Sequence, residues 1–565
     1  MPIESQTLDT STGMDPVNCF AHFSPKDRQI VDQILGAHKR FVYGEAIHLG
    51  RRSEEADPVE SVRFFVQFVM NQFYYVAHSR DGRAVVASNV VGSQQCGLEG
   101  ADENPPAIMV LGIGGPFPPF STDVDPFHLS MTERYRHCVV PIMVSRTKES
   151  SQAANWAHVA RNLFSKQPAR LFFYGLEFLG RNCRIVLCHR AGSQFSPYIG
   201  MGDMYLSSII YTCLPWDPIM LGFDGGSSPI GGKIGYLVLR SGAVYATQND
   251  GSPIHHRICD KIQSRGSTVW RVKRVNPEGG LQATTHIVKQ SWRTAKSILA
   301  ELKLLAMLRG LSGFAQVKGH VPKMRIDVLP GISEKIASAM TEEMRLTFSN
   351  IVFEDHGRPL DRFASTQELL YATRDAVQGI IYLWGLGILH TNIDPSHILI
   401  SRSDDNVSGV RGVLIDFKDA QQVGHNGRLP RASYRMGLPS FHSLSVLHAK
   451  WDSLTFRPRT PYDDMESVFW ILVGICQTFT APGCQIDDPK HIHRSVRRYW
   501  LRFPEDEILP SDPELVAKKE LLGLQLHESG MMSKDMVDWF RDGLVQPFFR
   551  PIMAALLKEL ADLSQ

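Results

Sequence analysis

The segment from His390 to Ile400, HTNIDPSHILI, concentrates side chains that could do chemistry. In it Asn392 lies two positions after His390 and five positions before His397. Imidazole and carboxylate groups can move protons or bind metal ions, whereas a neutral amide can only donate and accept hydrogen bonds. A second segment, LIDFKDA, adds the carboxylate of Asp416 directly after an apolar run. We expect the two segments to form one site for metal binding or proton transfer.

Apolar periodicity predicts the helices that must hold these segments. The stretch 365–387 begins with a serine cap at Ser365, repeats apolar residues at helical spacing and ends in glycines. The stretch 461–479 is apolar on every side in its middle, which predicts a buried helix. Asp464 lies in its first turn, where a carboxylate suits the helix dipole.

Strand patterns dominate the earlier part of the chain. A helix-like run at 155–167 precedes two β-rich runs within 169–192 that meet at Gly-Arg-Asn, which predicts a hairpin. Further strands are predicted at 62–79, at 234–242 and at 267–275. A short strand then leads into an amphipathic helix with an apolar stripe of Ile298, Leu302, Leu305 and Leu308.

Other segments have no regular pattern. The glycine- and proline-rich stretch 92–126 contains GIGG, but no helix start follows that could hold an anion, so we expect a surface loop. Residues 1–25 are polar and are expected to form a disordered tail, whereas 25–44 have helical spacing. A basic cluster at 491–500 is expected to be a solvated helix face, and several amphipathic helices are expected in the last 80 residues.

Composition excludes several classes of protein. A formal charge of +2, from 60 basic and 58 acidic side chains, gives no reason to expect nucleic acid or membrane as a partner. Nine cysteines without a CxxC pair argue against a disulfide framework or structural zinc. Cys183 and Cys188 should face opposite sides of a strand. Without a secretory signal or an apolar run that spans a bilayer, an intracellular protein of the cytoplasm or nucleus is expected.

The ordered set of motifs resembles a protein kinase, and more specifically the fungal-type protein kinase domain. The similar pieces cover about 160 to 480, in the family's order: NLFSKQPARLFFYGLEFLGRNCRIVL, GRPLDRFASTQELLYATRDAVQGI, GILHTNIDPSHILI, GVLIDFKDA, YRMGLPSF and RPRTPYDDMESVFWILVGIC. The resemblance implies an α+β, bilobal kinase-like fold with a β-rich small lobe, a helical large lobe and an N-terminal α/β extension. The implied division is a tail at 1–25, the extension at 26–240, with its later part packed on the small lobe, the small lobe at 241–330 and the large lobe at 331–565.

The same resemblance implies roles for particular residues. Lys289 resembles the phosphate-binding lysine, and Glu301 on the following helix resembles the glutamate that pairs with it. Gly266 is the one glycine present where the family's nucleotide loop has several. Asp416 corresponds to the metal-binding aspartate, and Asp464 to the acid that accepts hydrogen bonds from the catalytic-loop backbone. An ordinary surface role for Lys289 and Glu301 stays open.

Three substitutions depart from the kinase pattern HRDxxxxN. Asn392 stands where the catalytic base belongs, and loss of a general base removes a rate factor of about 10² to 10⁴. His397 replaces the metal-binding asparagine, although Mg²⁺ prefers oxygen ligands. Thr391 replaces the arginine that clamps a phosphorylated activation segment. Asp394 lies two positions after the base position, so using it as the base would not keep the spacing of the HRDxxxxN pattern. Lys418, in place of the glycine of DFG, is either a solvated lysine or a charge that replaces missing metal.

Three functional readings remain. The first is a catalytically impaired kinase that serves as a regulatory or scaffold protein for an unidentified protein partner or substrate, with ATP and weakly held Mg²⁺ as cofactors allowed by the resemblance. The second is an active Ser/Thr kinase or a small-molecule phosphotransferase, because the motifs are also similar to those of aminoglycoside and choline phosphotransferases. The third places the function in 26–240 as a protein-interaction module.

Overall fold

The computed structural model describes two compact units. The residues described are 129–145, 152–200, 219–257, 266–402, 409–423, 438–446 and 459–486, apart from a few positions inside these ranges, and short pieces at 62, 85–89, 106–112, 117 and 547–551. The first unit comprises Met1–Ala295 and Lys318–Phe353, and the second comprises Lys296–Val317 and Glu354–Gln565.

The first unit contains a seven-stranded sheet with two helices. Its strand order is β1-β2-β3-β4-β5-β6, with β7 paired to β5, and only β3 and β4 are parallel. In the chain, α1 precedes β3 and α2 precedes β4. The bounds are β1 Val85–Asn89, β2 Ile108–Gly112, α1 Met131–His137, β3 Cys138–Ser145, α2 Gln152–Lys166, β4 Phe172–Leu179, β5 Asn182–His189, β6 Gly192–Phe195 and β7 Ile199–Gly200.

An eight-stranded sheet completes the first unit. Its order is β14-β15-β13-β12-β10-β9-β8, with β11 paired to β12. The central pair, β12 and β13, is antiparallel. The bounds are β8 Ser227–Ile230, β9 Lys233–Val238, β10 Val244–Thr247, β11 His255–Arg257, β12 Ser267–Val275, β13 Leu281–Thr294, β14 Val317–Arg325, α4 Glu334–Ala339 and β15 Leu346–Glu354.

Strands β2 to β5 of the seven-stranded sheet are buried on both faces. One face shares a single hydrophobic core with the eight-stranded sheet, in which Phe178 and Ile185 join Trp270 and Val288. The other face packs against α1 and α2 through a separate core that includes Tyr135, Trp156, Phe164, Phe173 and Val186. Because strand side chains alternate, β5 places Cys183 in the first core and Cys188 in the second, as expected from their spacing. The two sheets therefore depend on each other for burial.

A buried carboxylate lies on the side of this sheet that the helices cover. Glu177 of β4 is 1% exposed and accepts hydrogen bonds from Trp156 Nε1 at 2.9 Å, from Arg184 Nη2 at 2.8 Å and from the Tyr198 hydroxyl at 2.8 Å. A buried carboxylate is tolerated where donors satisfy it. Gly175 leaves room for the Trp156 ring, since a Cβ there would lie 2.2 Å from it. The hydrogen bond from Trp156 to Glu177 and the space left by Gly175 together hold α2 against β4.

Arg170 performs a similar function at the start of the sheet. Its guanidinium is buried and donates to the carbonyl oxygens of Cys138 and Val139, each at 2.7 Å, and of Leu221 at 3.0 Å. Burial lowers the pKa of Arg170 to about 10, so the group remains charged near neutral pH. The side chain thus ties β3 to the turn at 221–223.

The second unit is mainly helical. Its long helices are α5, which Ser365 caps by accepting from Glu368 N, and α6, which begins in a capping box of Thr460 and Asp463. The bounds are α3 Ala295–Met307, β16 Gly357–Pro359, α5 Thr366–Gly385, β17 Ile388–Leu389, β18 Ile398–Ser401, β19 Gly412–Leu414, β20 Gln421–Gln422, α6 Pro461–Thr478, β21 Phe479–Ala481 and β22 Cys484–Gln485. None of the helices that the structure describes has the length and apolar character needed to cross a bilayer.

Several expectations from the sequence are confirmed. The hairpin is β4–β5, the helix at 155–167 is α2, the predicted strands at 234–242 and 267–275 are β9 and β12, and the helices at 365–387 and 461–479 are α5 and α6. On α3 the predicted stripe is wrong at Leu302, which is half-buried, because Leu304 is the buried residue of that turn.

Other expectations are wrong or fall outside the described residues. The supposed loop at 92–126 contains β2, whose apolar run from Ile108 to Leu111 lies in the core. The strand β15 belongs to the eight-stranded sheet, although it lies within 331–565, the range implied for the helical large lobe. Of the predicted strand at 62–79 only Val62 is described, and it is helical. The predictions for 1–25, 25–44 and 491–500, and nearly all of those for the last 80 residues, lie outside the described part.

Replacing Arg170 by Met should strongly destabilise the first unit. The carbonyls of Cys138, Val139 and Leu221 would lose their donors in a buried setting, so we expect the free energy of unfolding to fall by about 3 to 5 kcal/mol. Urea denaturation followed by circular dichroism measures this. The control is Arg136→Met, because Arg136 is exposed and pairs with Glu133 at the surface; it should change the free energy by about 1 kcal/mol or less. Equal effects of the two substitutions would contradict the assignment.

Candidate functional site

The two chemical segments lie side by side in the second unit. The loop from His390 to His397 connects β17 to β18, and β18 pairs with β19, which leads directly into Asp416. The loop ends in a 3-10 turn, Pro395–His397, which Asp394 caps by accepting from Ser396 N at 2.8 Å. The β18–β19 hairpin therefore places the ends of both segments together.

Asp464 anchors the loop backbone. It is fully buried in the first turn of α6 and accepts hydrogen bonds from His390 N at 2.9 Å and Thr391 N at 3.1 Å. Arg459 Nη2 lies 3.5 Å from the same carboxylate. Thr391 has φ of 65°, a left-handed conformation that is costly for a β-branched residue. The two hydrogen bonds to Asp464 hold that conformation in place.

His390 is a buried packing residue. Its Nε2 lies 3.0 Å from the Ile415 carbonyl oxygen, and its ring centroid lies 5.0 Å from that of Phe417. Burial lowers the pKa of His390, although Asp464 opposes this effect. The ring is therefore neutral near pH 7 and donates from Nε2, since the carbonyl can only accept. This residue joins the two segments rather than contacting solvent.

Asn392 hydrogen-bonds to an acid that the sequence analysis did not consider. Its Nδ2 donates to Asp419 Oδ2 at 3.0 Å, and the Thr391 hydroxyl donates to the Asp419 carbonyl at 2.7 Å. Asp419 is 6% exposed. In the sequence Asp419 is the second acid of LIDFKDA, three positions after Asp416, and this proximity could have identified it as a candidate. The amide at the base position therefore has a carboxylate within hydrogen-bonding distance.

His397 bridges acceptors on both sides. Its Nδ1 lies 2.9 Å from the Asn392 carbonyl oxygen and 3.2 Å from Asp394 Oδ2, and its Nε2 lies 3.1 Å from Asp416 Oδ2. Because these neighbours accept, both ring nitrogens must carry hydrogens, and the ring is an imidazolium. Burial favours the neutral ring, but the carboxylates of Asp394 and Asp416 outweigh it and raise the pKa of His397.

Asp416 is paired with cations of the chain itself. Lys418 Nζ lies 2.5 Å from Asp416 Oδ2, the same oxygen that faces His397. Asp416 has φ of 67°, so the backbone turns sharply at the residue that the family would use for metal. The carboxylate oxygen therefore carries two nitrogen partners.

This donor set does not fit Mg²⁺. Magnesium requires a near-octahedral shell of oxygen ligands at about 2.0 to 2.1 Å. Here His397, which stands at the position of the family's second ligand, offers nitrogen, and Asp416 Oδ2 is already shared by two cationic groups. Among the described residues no group of three or more His, Cys, Asp or Glu side chains could hold a metal ion.

The residues predicted to bind nucleotide lie on other elements. Lys289 is on β13, opposite Val269 of β12, and is 8% exposed, whereas Glu301 is a buried residue of α3. Lys289 belongs to the first unit and Glu301 to the second, so their pairing stays a prediction. Gly266 immediately precedes β12, where a Cβ would lie 2.8 Å from the Arg190 guanidinium. This glycine therefore gives room to Arg190.

Fold and site together define the class of protein. A β-rich unit, a helical unit and a loop anchored to a buried helix by a carboxylate form the α+β, kinase-like fold. The sequence pattern described as fungal protein kinase matches residues 128–476, more than half of the 565 residues. The chain belongs to the fungal protein kinase family.

Other comparisons add little detail. No curated protein matches the chain. Among solved structures, the crystal structure of the yeast RNA Pol II CTD kinase CTDK-1 complex is similar, with 17% sequence identity and a TM-score of 0.26. That match covers 37% of this chain and 58% of the other, which is less than two thirds of its length.

Replacing Asp464 by Asn should loosen the loop. An amide puts an NH₂ group in place of one of the two accepting oxygens and removes the negative charge 3.5 Å from Arg459 Nη2, so we expect a loss of about 2 to 4 kcal/mol in the free energy of unfolding. Urea denaturation measures the loss. Glu466→Gln on the same helix keeps an oxygen for Trp470 Nε1 and should cost about 1 kcal/mol or less. Similar stability of Asp464→Asn and the unaltered protein would show that the loop does not depend on this acid.

Proposed function

We propose that this kinase-family protein is catalytically impaired and acts as a regulatory or scaffold protein. The observation that carries the proposal is the state of Asp416, whose Oδ2 is held by Lys418 at 2.5 Å and by His397 at 3.1 Å. Phosphoryl transfer in kinases uses metal ions on this aspartate to neutralise charge on the transferred phosphoryl group. An aspartate committed to internal ion pairs cannot serve that purpose without rearrangement.

The base position supports the same proposal. A kinase needs a carboxylate that receives the proton of the substrate hydroxyl, and the amide of Asn392 cannot accept it. The amide is also engaged, since its Nδ2 donates to Asp419. Two elements of the chemistry are thus replaced, while the anchoring of the loop by Asp464 is intact.

A regulatory role implies partners and a nucleotide. The near-neutral charge balance, +2 over 565 residues, favours a protein partner over nucleic acid or an anionic membrane. We propose an intracellular role in the cytoplasm or nucleus, and ATP as the nucleotide that the kinase-like scaffold binds. The identity of the protein partner is a matter for capture experiments with the full chain.

Transfer of labelled phosphate from ATP tests the impairment. The full chain, supplied with Mg²⁺ or Mn²⁺ and a mixture of Ser/Thr-containing protein substrates, should label neither them nor itself above background, because both base and metal positions are altered. Asp416→Ala should give the same background. Turnover within the usual kinase range of about 1 to 100 s⁻¹, abolished by Asp416→Ala, would overturn the proposal.

Asp419 favours a second candidate function, an active Ser/Thr kinase or small-molecule phosphotransferase. Its Oδ2 lies 3.0 Å from the Asn392 amide, so a carboxylate lies beside the position of the usual base. In this case the Asp419 carboxylate receives the proton of the substrate hydroxyl. The Asn392 amide orients that carboxylate through its hydrogen bond. The spacing differs from the family pattern, since this acid comes from the second segment rather than the loop.

Two variants separate the candidates. If the protein is active through Asp419, Asp419→Asn should lower phosphate transfer by about 10² or more, whereas Glu466→Gln, which changes an acid outside the loop, should not. If it is impaired, the unaltered protein is inactive, and the triple variant Asn392→Asp, His397→Asn and Lys418→Gly should gain activity, because it restores the base and an oxygen ligand and releases Asp416 from Lys418. No activity in the triple variant, in a folded protein, would show that more than these three positions has been lost.

A further inference from the structure

The charge arrangement around Asp416 resembles a metal site in which side chains supply the positive charge. Lys418 and His397 approach one oxygen, Asp416 Oδ2, from two different elements, the 3-10 turn Phe417–Asp419 and the end of the catalytic loop. The ammonium carries one positive charge. His397 adds a second nitrogen partner to the same oxygen. Lys418 therefore supplies positive charge at the carboxylate where the family holds a metal ion.

The cluster is buried but Lys418 is partly accessible. The side chains of Asp416 and His397 are 9% and 8% exposed, whereas that of Lys418 is 15% exposed. A lysine ammonium has three donor hydrogens, and it binds phosphate as a compact point charge. Its neighbours fix its position, because Asp416 holds Nζ at hydrogen-bonding distance.

We propose that this cluster binds the phosphate chain of a nucleoside triphosphate directly, with Lys418 in the place of the divalent cation. The inference rests on the proposed function, because it specifies how a kinase-like scaffold without a suitable magnesium site holds ATP. It goes further by making the binding independent of metal. In this arrangement Asp416 orients Lys418 rather than binding a metal ion.

Added magnesium should then weaken binding. Mg²⁺ neutralises part of the negative charge of ATP, which reduces its attraction to Lys418. A magnesium ion brought to Asp416 would also meet the Lys418 ammonium at close range, and like charges repel. A conventional kinase site behaves in the opposite way, since its metal ions bridge the protein to the phosphates.

Calorimetric titration of the full chain with ATP tests the proposal, first with EDTA and then with excess Mg²⁺. We expect binding in EDTA, and a higher Kd with Mg²⁺. Lys418→Ala should raise the Kd in EDTA by about tenfold or more, because a hydrogen bond to a charged group is lost. The control, Lys303→Ala, removes an exposed lysine of α3 and should leave the Kd unchanged. Lys418→Met replaces Lys418→Ala if the latter does not fold. Inorganic tripolyphosphate in EDTA should compete with ATP.

The outcomes separate this inference from the proposed function. Binding that requires Mg²⁺, or that is insensitive to both Lys418 variants, overturns the metal-free site while a nucleotide-binding scaffold stands. Absence of ATP binding under all conditions overturns the metal-free site and the nucleotide-binding part of the proposed function. Phosphate transfer by the same preparation would overturn the impairment, whatever the binding titrations give. The reverse substitutions, Lys418→Gly with His397→Asn, should convert binding to a magnesium-dependent form.

Discussion

The site depends on one buried carboxylate and the two backbone N–H groups that it accepts. Asp464 fixes the peptide at His390 and Thr391, and so permits a β-branched residue to remain in a left-handed conformation. That conformation directs the Thr391 hydroxyl to the Asp419 carbonyl, and the loop in turn directs Asn392 to the Asp419 carboxylate. A strained backbone persists only where its surroundings determine it fully. The backbone of a kinase is therefore retained here by an interaction that takes no part in the chemistry.

The side chains on that backbone form a nearly self-neutralising cluster. Asp394 and Asp416 face His397, and Asp416 also faces Lys418. Among the described residues only three non-glycine residues have positive φ, and two of them, Thr391 and Asp416, belong to this site. Burial makes each unpaired charge costly, so a cluster that pairs its own charges is stable without an ion. This explains how the site can lose an oxygen ligand and still keep its geometry.

The sequence predicted the elements that are determined by residues close together in the chain. Strong caps and continuous periodicity identified α5, α6 and the β4–β5 hairpin, and the family spacing identified the loop. The pattern failed for β2 and β15, where short apolar runs gain their strand character from neighbours distant in the chain. Asp419 was missed for a related reason. Its proximity to Asn392 arises from the left-handed turns at Thr391 and Asp416, which no spacing rule contains. The pairing of Lys418 with Asp416 was not predicted, since the sequence analysis considered Lys418 only as a solvated lysine or as a charge that replaces missing metal.

The shared core of the first unit couples the stability of its two sheets. Phe178 and Ile185 of one sheet and Trp270 and Val288 of the other bury each other, so neither sheet has a solvent-compatible inner face. Such a pair unfolds cooperatively, and a gain or loss of stability in one sheet is felt by both. Removing the seven-stranded sheet would therefore expose the apolar inner face of the eight-stranded sheet, so the two sheets form one folding unit.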